Sequence, residues 1–293
     1  MNIAIYGRGF GNSFNGMIIQ LFEEFKIRNV KVFLNKSFHE FITKKVLYFP
    51  EVEGLFENEL PGDIKIDFFI SIGGDGSFLE SASIVKDSGI PIVGINTGRL
   101  GILAYVNATN LLKSINQIIE GDYILDKRML LEIYSENRFY GNLNFCLNDF
   151  TIQKYSKLNM IKTKVCADDN YINTYWSDGL IFATPTGSTA YSMSCGGPIV
   201  VPGSNVITIT PIANHNLTVR PLVLSADTEL KVSVDSSEAK ILVSLDHRAY
   251  VVKNNVEFFI KKAKFNINFV NLLKNNYFST LRNKLMWGID ARG

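Results

Sequence analysis

The chain has 293 residues, of which 46% are hydrophobic and 20% charged, the composition of a folded protein with room for two ordinary domains. The formal net charge is +2 and no long basic block occurs, so we expect neither nucleic acid nor a membrane as a partner. The apolar runs have strand length, and no signal-peptide pattern precedes Gly7, so we expect a cytoplasmic protein.

The first hundred residues alternate between apolar strand-like runs and segments with helical spacing of apolar residues. The predicted strands cover residues 2–6, 30–34, 66–72 and 90–95, and the predicted helices cover 16–28, 37–45 and 77–87. This alternation is typical of a parallel sheet with crossover helices. We therefore predict a Rossmann-like α/β domain over residues 1–100, with a boundary near Leu100.

After Leu100 a helix at 109–120 is followed by short β-rich runs separated by Asn, Asp, Ser and Gly. The predicted strands cover residues 128–135, 138–144, 150–154, 161–165, 180–184, 206–210, 230–234 and 241–245. We predict a larger, all-β sandwich domain over residues 101–270. Helical spacing returns at 277–287, so we expect the segment 271–293 to pack back on the first domain.

The three cysteines and three histidines are isolated, without C-x-x-C or H-E-x-x-H spacing. This argues against a disulfide framework and against a zinc hydrolase site. We expect Cys146, Cys166 and Cys195 to be buried reduced thiols, and we assign no protein residue as a metal ligand.

Two glycine-rich segments follow predicted strands. Gly7-Arg8-Gly9-Phe10-Gly11 lacks the third glycine of a dinucleotide fingerprint, and a plain turn is favoured there over a phosphate contact. The second, Gly73-Gly74-Asp75-Gly76-Ser77, lies between a strongly apolar strand and a predicted helix. Backbone N–H groups in such a loop can bind phosphate oxygens, while the aspartate can accept a proton or hold a metal. No glycine precedes a lysine, so a Walker A loop is excluded.

Two polar segments of the β-rich region are further candidates. The run from Ser177 to Pro198 contains Asp178 and many small hydroxyl and glycine residues, with Tyr191 available to stack on a base. Asn148-Asp149 is able to bind ribose or amide groups, although a polar strand end is the favoured interpretation of this pair alone.

Taken in this order, these segments resemble the NAD kinases over most of the chain. The resemblance rests on Gly-Gly-Asp-Gly at 73–76, Asn-Thr-Gly at 96–98 with Leu100-Gly101, Asn148-Asp149, the stretch 178–198, Arg220-Pro221-Leu222, and 281–287. Gly-Gly-Asp-Gly alone is shared with lipid kinases, whereas the long stretch is far more specific.

The resemblance implies transfer of a phosphoryl group from ATP, or from polyphosphate in some members, to the 2′-hydroxyl of the adenosine ribose of NAD. It implies a divalent metal, with Mg²⁺ expected, and a homodimer or homotetramer. Asp75 is the implied base, with Gly76 beside the same nucleotide and Gly73, Gly74 and Ser77 near the donor phosphates. The implied dinucleotide-binding residues are Asn148, Asp149, Asp178, Thr186, Thr189, Ala190, Tyr191, Ser192, Met193 and Ser194.

Three positions depart from the commoner family pattern. Asp149 stands where many members carry glutamate, and Trp176 stands where a basic residue is frequent. Arg248, in Asp246-His247-Arg248, is a candidate phosphate contact, with pairing to an acid as the alternative.

Two other functions stay open at this point. A lipid or sphingoid kinase shares the glycine–aspartate loop, but the chain has no basic amphipathic segment for a membrane surface. A dinucleotide sensor without catalysis would bind the nucleotide but not turn it over.

Overall fold

The computed structural model describes residues 1–98, 101–107, 110–156, 159–272 and 276–288. The chain forms two compact units. Unit 1 combines residues 1–127 with 267–293, and unit 2 comprises 128–266. The predicted boundary residue Leu100 lies outside the described residues, and unit 1 extends beyond it through the next helix.

Unit 1 is an α/β unit, as the alternation of elements predicts. Its strands are β1 (Asn2–Gly7), β2 (Lys31–Asn35), β3 (Gly54–Phe56), β4 (Phe68–Gly73), β5 (Ile92–Asn96) and β6 (Val106–Asn107). Its helices are α1 (Asn15–Ile27), α2 (Lys36–Phe41), α3 (Asp75–Val85) and α4 (Leu111–Glu120). The strands pair in parallel in the order β3-β2-β1-β4-β5-β6, which confirms the Rossmann-like sheet.

The position of the glycine–aspartate loop follows from this sheet. All six residues of β4 are buried, and its two neighbours are β1 and β5, where Ile70 pairs with Ile5 and Val93. Strands of a parallel sheet are covered on both faces, which explains the continuous apolar sequence of β4. The chain leaves β4 at Gly73 and enters α3 at Asp75, so the loop lies at the carboxyl end of a central strand.

Unit 2 is β-rich. Its strands are β7 (Ile124–Tyr134, beginning in unit 1), β8 (Phe145–Cys146), β9 (Asp149–Lys154), β10 (Ile161–Ala167), β11 (Asn170–Ser177), β12 (Gly179–Ala183), β13 (Val206–Ile212), β14 (Leu222–Ser225), β15 (Leu230–Asp235), β16 (Lys240–Leu245) and β17 (Arg248–Lys253). A short helix, α5, covers Tyr191–Ser194, and β18 covers Glu257–Asn271 and continues into unit 1.

The sandwich architecture of unit 2 is confirmed. One antiparallel sheet has the order β14-β13-β12-β9-β16-β17, and a second group pairs β11, β10, β15 and β18. The core contains residues of both, and the Phe150 and Phe258 rings lie 5.1 Å apart across it. Unit 2 is not the larger unit, however, because residues 267–293 belong to unit 1.

The sequence prediction for unit 2 contains one wrong strand and several omissions. Residues 138–144 form turns, because Arg138 and Gly141 adopt left-handed backbone conformations with φ of 40° and 59°. The omitted strands are β8, β11, β14, β17 and β18. Strands β8 and β14 have only two and four residues, whereas β18 alternates polar and apolar residues from Lys264 to Phe269 and was missed despite that signal.

The end of the chain returns to unit 1, as predicted. Phe269 of β18 pairs with Ile92 of β5, and helix α6 follows at Tyr277–Leu285. The Asn276 side chain caps α6 by accepting the Phe278 N–H, and Leu281 is buried. None of the helices that the structure describes combines the length and apolarity needed to cross a bilayer.

Candidate functional site

The glycine–aspartate loop of unit 1 is shaped by a tight turn between strand and helix. Gly73 has a φ of 147°, and a Cβ at this position would overlap the Ser77 side chain, so a glycine is required. A Cβ at Gly74 would meet nothing within 4 Å. The space beside Gly74 is thus open. The loop leads into the N-terminus of an 11-residue helix, where backbone N–H groups and the helix dipole favour an anion.

Asp75 occupies the first turn of α3, and its carboxylate has two backbone donors. Oδ2 accepts the N–H of Ile102 at 2.9 Å, and Oδ1 accepts the N–H of Leu103 at 3.0 Å. A Cβ at Gly101 would lie 2.7 Å from Oδ1, so the absence of a side chain there allows the approach. These contacts fix the carboxylate of Asp75 in one orientation.

The surroundings of this loop include residues that the sequence did not single out as functional. The guanidinium of Arg8 lies near the loop, with Nη1 3.8 Å from the Cβ position of Gly76, and pairs with Glu80 at 3.8 Å. Lys284 of α6 donates to the backbone carbonyls of Gly101 and Ala104. Arg8 lies inside a glycine segment that the sequence did identify. Lys284 lies inside the segment 281–287, which contributes to the family resemblance, but the sequence assigned it no role.

Residues of the segment Gly7–Gly11 pack closely against aromatic rings. A Cβ at Gly7 would lie 2.6 Å from the Phe38 ring, and Phe10 packs edge-to-face on Phe14 and Phe41 at 4.9 Å. Close packing against an aromatic ring accounts for the glycine at position 7.

In unit 2 the backbone of Asn148 and Asp149 donates hydrogen bonds to the carboxylate of another acid, Asp246. The Asp246 carboxylate accepts the N–H groups of Leu147, Asn148 and Asp149 at 2.9, 2.7 and 3.3 Å. Only 3% of the Asp246 side chain is exposed. Its role escaped the sequence prediction, because Asp246 is 98 residues away from Asn148 in the chain.

Asp149 itself is buried next to this second carboxylate. Burial, and then the charge of Asp246, raise the pKa of Asp149 to about 7, although a hydrogen bond from Thr151 at 3.0 Å opposes the shift. Burial also raises the pKa of Asp246, against the opposing effect of its backbone donors and of Arg248. Asp149 therefore gains or loses a proton near neutral pH, which suits a side chain that binds a polar ligand by hydrogen bonds.

The predicted stretch 178–194 lies beside this pair. In the register of β9 with β12, Ala183 is opposite Asp149. A Cβ at Gly187 would overlap the Asn148 backbone, so the Thr-Pro-Thr-Gly turn packs directly on Asn148. The structure thus brings Asn148, Asp149 and the hydroxyl-rich turn together, as the sequence predicts.

The other predicted residues of this stretch differ in exposure. Thr186, Thr189 and Ser192 are buried, Ala190 and Met193 are half-buried, and Tyr191 and Ser194 are exposed. Thr186 accepts from the buried Arg128 at 3.2 Å, and Ser192 pairs with Thr210 at 2.8 Å. These bonds support the shape of the turn, whereas the Tyr191 ring is accessible for stacking.

Asp178 and Trp176 precede this turn. The Asp178 carboxylate pairs with Lys154 at 2.6 Å, and a third of the Asp178 side chain is exposed. Trp176 is half exposed, and Lys162 lies 4.8 Å above its ring. A cation is thus found beside the tryptophan that replaces the commoner basic residue.

Arg248, a predicted phosphate contact, has intramolecular partners instead. Its guanidinium donates to the carbonyls of Leu143, at 2.9 Å, and Phe145, and lies 4.0 Å from Asp246. Only 11% of the side chain is exposed. The geometry favours the alternative of pairing with an acid, because these partners bind the guanidinium from inside unit 2.

Among the described residues, no three His, Cys, Asp or Glu side chains form a group that could hold a metal ion. These described side chains therefore do not fit a metal cage built by the protein alone. All three cysteines are free, as expected, but Cys146 is the one that is buried, while Cys166 and Cys195 are half-buried.

The comparisons with known proteins agree with this geometry. The models of the ATP-NAD kinase N-terminal and C-terminal domains match residues 30–123 and 147–272. The chain is 39% identical to an NAD kinase of Cytophaga hutchinsonii and 41% identical to one of Flavobacterium johnsoniae, with full coverage of both chains in each case.

Two solved structures share the fold. The yeast NADH kinase in complex with NADH has a TM-score of 0.86 at 21% identity, over 99% of this chain and 89% of that one. The Archaeoglobus fulgidus NAD kinase in complex with ATP has a TM-score of 0.76 at 24% identity, over 98% and 99%.

Fold, glycine–aspartate loop and relatives together define the chain as a kinase, a phosphotransferase that acts on an alcohol group. Identity near 40% over the whole length gives the finer assignment. The chain belongs to the NAD kinase family.

Proposed function

We propose that the chain transfers the γ-phosphoryl group of ATP to the 2′-hydroxyl of the adenosine ribose of NAD, giving NADP and ADP. The observation that carries this proposal is the Asp75 carboxylate, oriented by the amides of Ile102 and Leu103 in the first turn of α3. A hydrogen-bond acceptor fixed in this way orients a hydroxyl nucleophile and takes its proton late in the transfer.

The donor phosphates are assigned to the loop of unit 1. Gly73, Gly74, Gly76 and Ser77 surround the N-terminus of α3, where uncovered backbone and the helix dipole favour phosphate oxygens. Phosphoryl transfer needs alignment and charge neutralisation rather than covalent catalysis, so such a loop supplies much of what the donor requires. The Archaeoglobus fulgidus structure in complex with ATP supports ATP as the donor, with polyphosphate as the alternative.

The dinucleotide is assigned to unit 2. Asn148, Asp149 and Asp178 offer amide and carboxyl groups to ribose hydroxyls, and the half-exposed Tyr191 ring offers a surface for a base. The bonds of Thr186 and Ser192 within unit 2 leave these two residues the role of shaping the turn that carries Thr189, Ala190, Met193 and Ser194. The yeast NADH kinase in complex with NADH supports a nicotinamide dinucleotide as the acceptor.

The metal, the assembly and the location are further parts of the proposal. Mg²⁺ enters as the counter-ion of the donor phosphates, since the described residues form no metal cage. We propose a homodimer or homotetramer in the cytoplasm. Analytical ultracentrifugation and fractionation of cells that express the chain test these two points.

The most informative assay measures NADP formed from NAD, ATP and Mg²⁺. A parallel reaction offers a sphingoid lipid in vesicles, and calorimetry measures NAD binding. NADP formation without lipid phosphorylation is the expected result. Lipid phosphorylation in the absence of NADP indicates the lipid kinase, and NAD binding without turnover indicates the sensor; either result contradicts the proposal.

A further inference from the structure

The turn formed by residues 101–104, here called the Asp75 turn, is held from two sides. On one side the N–H groups of Ile102 and Leu103 donate to the Asp75 carboxylate. On the other side the Lys284 ammonium donates to the carbonyls of Gly101 and Ala104, the latter at 3.0 Å. Because all these groups lie in unit 1, one short turn connects the C-terminal helix to the aspartate.

Lys284 is itself held in place by the helix that carries it. Helix α6 begins after the Asn276 cap, buries Leu281 and ends at Leu285. The next residue, Met286, has a left-handed backbone conformation with a φ of 55°. The neighbouring Arg282 is exposed, whereas Lys284 is half-buried. The helix therefore directs one of its two cations to the Asp75 turn and leaves the other in solvent.

The placement of this cation has an energetic cost. Burial lowers the pKa of Lys284, and the charge of Asp75 opposes that shift. A half-buried ammonium loses hydration, and its hydrogen bonds to carbonyls offset only part of that loss. A packing role alone does not require a charge at this position, but holding two carbonyls of one turn requires a donor with several N–H groups.

We propose that Lys284 is a positioning residue for Asp75: it fixes the carbonyls of the Asp75 turn, so that the opposite amides keep the carboxylate in its reactive orientation. The inference rests on the proposed role of Asp75 as the base. Lys284 touches neither substrate nor the reacting atoms in this account, and acts only through the turn. The C-terminal segment thereby belongs to the catalytic apparatus of unit 1 rather than serving packing alone.

The kinetic test compares Lys284→Met with Lys284→Arg and with the matched control Arg282→Met on the exposed side of the same helix. We expect Lys284→Met to lower kcat up to about 100-fold with little change in the KM for NAD or ATP, as misplacement of a catalytic group does. Lys284→Arg restores most of the activity, and Arg282→Met behaves like the wild type. Wild-type kcat in Lys284→Met, or an equal loss in Arg282→Met, overturns the proposal.

Amide hydrogen exchange measures whether Lys284 stabilises the Asp75 turn, and it does not depend on turnover. The amides of Ile102 and Leu103 should exchange faster in folded Lys284→Met than in the wild type and Arg282→Met, and unchanged exchange contradicts the positioning role. If Lys284→Met does not fold, Lys284→Ala, which also removes the N–H donors and keeps a good helix former, takes its place. Faster exchange together with a fully active Asp75→Asn enzyme means that the proposed base is wrong while the turn is held as described.

A double-mutant cycle separates positioning from general destabilisation. If Lys284 acts through Asp75, Lys284→Met costs little further kcat once Asp75→Asn is present. Independent, multiplying losses, accompanied by a lower Tm in Lys284→Met alone, indicate a structural lysine and contradict the inference.

Discussion

Asp75 in unit 1 and Asp149 in unit 2 carry the same side chain in opposite environments. Asp75 receives two backbone N–H groups at the start of a helix. Asp149 is buried beside a second carboxylate, with a pKa of about 7. The contrast fits the two tasks proposed for this residue type: an oriented acceptor for a proton, and a group that donates or accepts hydrogen bonds near neutral pH.

The sharpest test of the comparison is Asp75→Asn. We expect the fold to persist, because an amide keeps the size of the carboxyl group, while kcat falls by about 10² to 10⁴-fold as the base is lost. Steady-state kinetics with NAD and ATP measure the loss, and circular dichroism checks the fold. Near-wild-type turnover would refute the role of Asp75.

The second test concerns the pH dependence that Asp149 imposes on stability. The pKa of Asp149 is about 7 in the folded protein against an ordinary 3.8, so between these values the folded state keeps a proton that the unfolded state has lost. The free energy of unfolding must therefore fall as pH rises from about 4 to about 7, on the order of 2–4 kcal/mol, and then level off.

Asp149→Asn removes this dependence, so the variant should gain stability relative to the wild type as pH rises through this range. Urea unfolding at pH 5, 6, 7 and 8 measures the difference, with exposed Asp235→Asn as the control. If the difference in the free energy of unfolding between Asp149→Asn and the wild type stays constant with pH, the pKa of Asp149 is not raised in the folded protein.

Arg248→Met tests whether the Arg248 guanidinium stabilises unit 2 around the buried acids or contacts a phosphate of the substrate. Burial raises the pKa of Asp246 and the charge of Arg248 opposes that rise, while the Arg248 N–H groups satisfy two backbone carbonyls. We expect a loss of about 1–3 kcal/mol in the free energy of unfolding with the KM for ATP unchanged. Lys253→Met, at the exposed end of β17, is the control, and a large rise in KM with normal stability restores the predicted phosphate contact.

The smallest effect is expected from Lys154→Met, which removes the partner of a third aspartate. The Asp178 carboxylate is neither buried like Asp149 nor held by two amides like Asp75, but pairs with Lys154 near the surface. Such a pair contributes about 0–1 kcal/mol, so Tm should change little. Differential scanning calorimetry measures the shift, and a fall comparable to that of Arg248→Met contradicts this account.

Much of the fold was predictable because its signals are local. The apolar run of β4, the glycines that end it and the helical spacing after Ser77 identify the strand, loop and helix that position Asp75. The hydroxyl-rich stretch and Asn148-Asp149 likewise stand next to each other in the structure. The family resemblance added the identities of donor and acceptor, which spacing alone did not give.

The supporting residues were not predictable, because their partners are distant in the chain. Asp246 lies 98 residues from Asn148, and Lys284 lies 183 residues from Gly101. Arg248 donates to carbonyls more than 100 residues earlier, and its local sequence gives no sign of these contacts. The wrong strand at 138–144 has a different, local origin, since its left-handed positions at Arg138 and Gly141 override apolar residues that suit a strand.

The position of the transferred phosphate tests the central claim most directly. NAD, ATP and Mg²⁺ are incubated with the wild-type chain, and the product is identified by phosphorus NMR and by a dehydrogenase specific for NADP. The account predicts a single new phosphomonoester on the 2′-oxygen of the adenosine ribose. A phosphate on another hydroxyl, or unchanged NAD in the presence of folded enzyme, would contradict it.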